Sequence, residues 1–227
     1  MRNRHAAGRF PYPDTRHNRS MQSLPAEQLL ELAIRHVNAG QPERALVLCQ
    51  LAHDAYPSHP AVCQLLAQLH FDSGQLEVAA MHIAASVAAR PHHAPSLFIA
   101  GMVARAQDRL VDAEAALSDA VRLAPTHDKA WFELALVRQD LCDFNGAADA
   151  LRELLRIAPP RAEIEVNLGI VLQEAGRMDD AMRAYGRAYR LREDTFGRIA
   201  HALATPGTGR LWLHLDDLHA ALRGQPP

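Results

Sequence analysis

Lysine is almost absent from this chain: of its 24 basic residues only Lys129 is not arginine. Lysine is at home on exposed helix faces, so its scarcity points to the coding bias of a GC-rich, bacterial genome. Aromatic residues make up only 5% and β-branched residues are sparse, which disfavours sheet. Cysteine is limited to Cys49, Cys63 and Cys142, which form neither an even disulfide set nor a metal-ligand spacing. A reduced, cytoplasmic setting is therefore expected. No stretch approaches the ~20 apolar residues needed to span a bilayer. Charge of one sign is also lacking: the net charge of −2 excludes bulk attraction to nucleic acid or acidic membranes.

What is abundant is helix-forming. Ala, Leu, Arg, Gln and Glu dominate, and the 48% of apolar residues suffices for a continuous core. Within this background Ala45, Ala79, Ala113, Ala147 and Ala181 stand 34 residues apart, and Pro57, Pro91, Pro125 and Pro159 keep the same step. A fixed period of this length marks a stacked array of one supersecondary unit.

The unit is a pair of helices. In residues 26–59, Leu29, Leu32, Ala33 and His36 recur at i, i+3, i+4 and i+7 and define one helical face. Gly40, able to adopt the left-handed conformation, ends that helix. A second helix follows with Ala45, Cys49 and Ala52 on one face, closed by Tyr56-Pro57. The same reading fits 60–93, 94–127, 128–161 and 162–195. Small residues at Ala33, Ala67, Gly101, Ala135 and Gly169 let the two helices of each pair approach closely.

Trp131-x2-Leu134-Ala135, Leu168-Gly169 and Ala181-x3-Tyr185 resemble the W-x2-L-G-x2-Y and A-x3-F marks of the tetratricopeptide repeat family. The resemblance covers residues 26–195. It implies an all-α fold, a right-handed superhelical α-solenoid of antiparallel helix hairpins. Glu165 stands in the tryptophan slot of the fifth repeat and Glu193 replaces its closing proline, so that repeat should pack less tightly against its predecessor.

The ends differ from the repeats. Residues 1–25 carry Arg2, Arg4, Arg9, Arg16 and Arg19 without a following apolar segment and read as a basic, disordered arm; translation from Met21 is an alternative. Residues 196–227 read as capping helices and a tail. Ile199, Ala202 and Leu203 continue the frame of a sixth first helix, which residues 205–209 then stop. A closing helix over 215–223 presents Leu215, Leu218 and Leu222, with Trp212 expected to pin it onto the fifth repeat.

In proteins that this chain resembles, a second face of each first helix lines the concave side and holds peptide ligands. Here it reads Leu30, Ile34, Val37; Gln64, Gln68, Phe71; Phe98, Met102, Arg105; Phe132, Leu136, Gln139; then Val166, Ile170, Gln173. Such an apolar row marks an interaction site or a surface covered within the protein. The glutamines would bond a bound backbone, and Arg105 an acidic group. In the first two repeats Leu30, Ile34, Gln64 and Gln68 stand where related repeats that clamp acidic chaperone tails carry lysines, arginines and asparagines, so such a clamp is not expected. The arm itself, through Phe10 and Tyr12, is another candidate occupant.

Chemistry has little to stand on. No serine or cysteine nucleophile comes with an evident base, and no glycine-rich loop follows a strand. Of the 13 histidines, His59, His92, His93 and His127 fall at the turns between repeats, and His36 and His70 fill equivalent packing slots. His214 and His219 are five apart and do not share a helical face. No catalytic residue, cofactor or metal site is expected. The expected function is a non-catalytic scaffold that binds an apolar or amphipathic segment of another protein. The alternatives are an accessory or regulatory subunit of a bacterial biosynthetic or transferase enzyme, and a module of an envelope assembly.

Overall fold

The computed structural model describes residues 24–204 and 215–224, which fall into two compact units divided after Arg90. All regular structure among the described residues is helical. The first unit holds α1 (Ala26–Asn38), α2 (Pro42–Ala55), α3 (Pro60–Asp72) and α4 (Leu76–Ala89). The second holds α5 (Ala94–Ala106), α6 (Leu110–Leu123), α7 (Asp128–Asp140), α8 (Phe144–Ile157), α9 (Ala162–Glu174) and α10 (Met178–Leu191). A 3-10 turn (Glu193–Thr195), α11 (Phe196–Leu203) and α12 (Leu215–Gly224) complete it. Trp212 and the 205–209 segment lie outside the described residues. No helix among the described residues is long and apolar enough to cross a membrane.

The period is kept because every repeat ends its first helix in the same way. In the first hairpin Gly40 N–H donates to the Val37 carbonyl (2.9 Å) and Gln41 N–H to the His36 carbonyl (2.9 Å). This is the Schellman arrangement, which satisfies otherwise orphaned carbonyls and requires a left-handed residue between them. Gly40, Gly74 and Gly176 supply it at φ +68°, +75° and +74°. In the third and fourth repeats the same position is held by Asp108 (φ 59°) and Cys142 (φ 60°). A side chain there is strained, least for aspartate and more for cysteine.

The turns between hairpins are built differently. His59, His93 and His127, spaced by the repeat, accept hydrogen bonds at Nδ1 from the backbone N–H of Val62 (3.4 Å), Ser96 (3.3 Å) and Ala130 (3.1 Å). Each thus caps the next first helix and takes up one of its free donors. His36 and His70 sit just before the hairpin turns, with Nδ1 2.8 Å from Oε1 of Gln41 and of Gln75. Histidine therefore serves both kinds of turn, as a cap between hairpins and as a brace within them.

The core of each hairpin is where the small residues lie. Ala33, Ala67 and Ala135 are buried against second helices whose Ala45, Ala79 and Ala147 are fully buried. In the third and fifth repeats the first helix carries glycine instead. A methyl group on Gly101 would stand 2.5 Å from the Leu117 side chain, and one on Gly169 would stand 2.3 Å from the Tyr185 ring. Tyr185 is fully buried and its hydroxyl donates to Gln173 Oε1 (3.1 Å), so the ring has nowhere to retreat. In the C-terminal helices of the second unit Ile199, Leu203, Leu218 and Leu222 are all buried.

Two stability outcomes follow from this geometry. Cys142→Gly should raise the unfolding free energy by ~0.5–1 kcal/mol through relief of the left-handed strain, with no gain for Cys142→Ala. Gly169→Ala should lower it by ~1–3 kcal/mol by overpacking against Tyr185. Urea unfolding midpoints of the variants check both; equal effects of glycine and alanine at position 142 would contradict the strain.

Candidate functional site

The apolar row is divided between the two units. In the first unit Ile34 and Val37 on α1 are 44% and 38% exposed, and Leu30 is half-buried. On α3 the polar members are tied up: Gln64 Oε1 accepts from Arg90 (3.0 Å), and Gln68 donates to Asp72 (2.7 Å). Phe71 is half-buried at the end of the same helix.

In the second unit Phe98 and Met102 on α5, Phe132 and Leu136 on α7 and Ile170 on α9 are all partly exposed. They occupy the same two slots of three consecutive first helices. Phe98 is flanked by the His127 ring, with centroids 4.8 Å apart. Gln139 is also partly exposed.

Besides Gln64 and Gln68, three members of the row differ from the sequence-based expectation. Val166 is fully buried and Gln173 is 3% exposed. Gln173 spends its amide inside the unit, donating to the Ala202 carbonyl (2.8 Å) on α11 while accepting from Tyr185. The cap thus engages the row on α9, which a repeat pattern alone does not reveal. Arg105 is neutralised rather than waiting for an acid: Nε lies 3.0 Å from Asp140 Oδ2 and Nη1 lies 3.3 Å from Glu133 Oε2.

The most exposed large apolar side chains lie elsewhere. Val47 on α2 and Met81 on α4 are 53% and 62% exposed at equivalent positions of second helices, and Val111 on α6 is 72% exposed. The sequence contained this signal, because Val47 and Met81 are one period apart. It is obscured by the weak apolar contrast of these helices.

Glu165, in the slot of the missing tryptophan, is not solvated. Its carboxylate is buried and accepts from Arg187 Nε (2.8 Å) and Nη2 (3.0 Å) on α10. Between α8, α9 and α10 an open cleft of about 360 Å³ is lined by Arg152, Leu155, Glu165, Leu168, Asp180 and Arg187, among others. Its cations are paired, Arg152 with Asp149 at 2.6 Å and Arg183 with Asp180, so it offers no unmatched charge. Arg187→Leu should destabilise the chain by ~2–4 kcal/mol by leaving a buried carboxylate alone. Adding Glu165→Gln to that variant should recover part of the loss in urea unfolding.

The structure also brings together residues that no motif connects. His53 on α2, Cys63 on α3 and His82 on α4 place their ligand atoms within 4.8 Å of one another. The expectation of no ligand set rested on spacing along the chain, and these residues come from three helices. Cys49 is a different case: burial pushes its thiol up to about 12, which keeps it protonated and unreactive at neutral pH.

Helix pairs with 13-residue first and 14-residue second members, joined by identical turns, define a helical-hairpin repeat protein. The tetratricopeptide repeat profile matches residues 65–128 and 132–198, more than half of the sequence, and the chain belongs to that family. Among solved structures it is similar to the MamA protein, at 19% identity over 75% of this chain and 93% of that one, with a TM-score of 0.67. It is similar to TTC0263, a thermophilic tetratricopeptide repeat protein of Thermus thermophilus, at 23% identity over 79% and 100% of the two chains (TM-score 0.55). YrrB, described as a tetratricopeptide repeat protein with an unusual peptide-binding site, shares 16% identity over 73% and 86% (TM-score 0.66). These likenesses establish the fold alone. No curated protein matches the sequence.

Proposed function

We propose that this chain is a non-catalytic scaffold that binds an apolar or amphipathic segment of another protein through the exposed faces of its first helices. One observation carries the reading: Phe98, Met102, Phe132, Leu136 and Ile170 repeat in register and remain partly exposed after folding. Apolar groups kept at a surface at fixed spacing gain most when a partner's side chains cover them. Phe71 and the α1 residues Leu30, Ile34 and Val37 would serve in the same way within the first unit. The internal pairing of Gln64, Gln68 and Arg105 shifts the weight of recognition from polar to apolar contacts. A bound segment needs few charges to match. YrrB, with its peptide-binding site, is a precedent for the fold. A cytoplasmic, reducing setting suits the three free cysteines, two of them buried.

A second reading has its own support in Val47, Met81 and Val111 on second helices. An accessory subunit held permanently against an enzyme would cover these side chains as well, whereas a transient adaptor would leave them in water.

The reading is tested by purifying the chain from its native organism with its bound partner. Phe132→Ala should weaken partner binding by ~2 kcal/mol or more, close to thirtyfold, with a much smaller effect from Val111→Ala. Undiminished binding by Phe132→Ala with stability also unchanged would contradict it. A loss confined to Val111→Ala would favour the permanent subunit.

A further inference from the structure

We propose that His53, Cys63 and His82 form a binding site for a soft or borderline transition-metal ion, Zn²⁺ foremost, that ties the first repeat to the second. Cys63 is fully buried and His82 is 5% exposed, while His53 is half-buried and opens the site to solvent. Cys63 Sγ lies 4.0 Å from His53 Nδ1. Around a tetrahedral ion with bonds of ~2.3 Å to sulfur and ~2.0 Å to nitrogen, ligand atoms stand about 3.3–3.6 Å apart. The three ligand atoms, all within 4.8 Å of one another, need only small side-chain rotations to reach that spacing.

Packing alone is a weak account of this cluster. Imidazole has a strong polar requirement, and a buried ring normally finds a hydrogen bond. Among the described residues no hydrogen bond reaches the His82 ring, whose nitrogens keep only slight contact with solvent. Its neighbours are two more imidazoles: His53 edge-on at 5.1 Å between centroids, and His70 stacked at 5.6 Å. His70 lies parallel to His82 and has its Nδ1 on Gln75, so it packs the site rather than completing it.

Two nitrogens and one sulfur from three helices make a donor set that suits Zn²⁺ better than hard ions such as Mg²⁺ or Ca²⁺. Water would take the fourth position. The thiol, which donates to the Pro57 carbonyl at 3.5 Å, must lose its proton to ligate. The S–H bond breaks, the metal–thiolate bond forms, and the proton goes to solvent. Because α2 belongs to one hairpin and α3 and α4 to the next, occupancy would cross-link neighbouring repeats of the first unit.

The full-length chain should be prepared metal-free under reducing conditions, in a Cys142→Ser background that removes the exposed thiol. Titration with Zn²⁺ at neutral pH should saturate at one equivalent and raise Tm by ~4 °C or more. Co²⁺ as a probe should give a thiolate-to-cobalt charge-transfer band in the near ultraviolet and visible bands of tetrahedral intensity. Cys63→Ser should abolish the charge-transfer band and weaken Zn²⁺ binding at least tenfold while leaving the helical circular dichroism unchanged. His82→Gln should likewise weaken it. The proposal is overturned by the absence of any stoichiometric Zn²⁺ binding, or by a charge-transfer band that survives Cys63→Ser.

Discussion

The close contact between paired helices is what the rest of the structure depends on. Ala33, Ala67, Gly101, Ala135 and Gly169 leave no room between the first and second helix of a hairpin, and every first helix is thereby set at a fixed depth. Burial of an apolar side chain is worth ~1.5–3 kcal/mol only if the surfaces meet without voids. Small residues at one slot let Leu66, Leu117, Leu134, Leu151 and Tyr185 fill the space around it. The fixed depth also determines what remains outside. Phe98, for example, follows the buried Leu97 on the helix, points away from the hairpin and stays partly exposed.

Surface and core are therefore products of one constraint, and this links fold to function. A repeat protein presents the same two or three side-chain positions again and again. Phe98, Phe132 and their neighbours are read here as such a presentation. The ends of each unit modify it. Gln173 would belong to the row by register, but α11 supplies a carbonyl that captures it. Arg105 would belong too, but the next first helix carries Glu133 and Asp140 within reach.

Much of the fold was legible in the sequence because its causes are local or periodic. The alanine ladder, the glycines at 40, 74 and 176, and the apolar faces of α11 and α12 each follow from spacing. Asp108 and Cys142 were legible only by register, since neither residue type announces a left-handed turn. The histidine caps at 59, 93 and 127 were visible as a period but not as caps, because histidine is an uncommon choice there. The pairing of Glu165 with Arg187, the capture of Gln173 and the meeting of His53, Cys63 and His82 were not legible. Each joins residues from different helices at separations that no local rule selects. The proposed binding surface was harder to read than the fold for the same reason: the row is periodic, but its occupancy by neighbouring side chains is not.

The central claim is that partners meet the first helices. It is tested most directly by placing a photo-crosslinking amino acid at Phe132 in one chain and at Val111 in another. Both chains would be expressed in the native organism and irradiated before lysis. The account predicts one discrete partner adduct from position 132 and a much weaker one from position 111. An adduct that forms at 111 and not at 132 would contradict it.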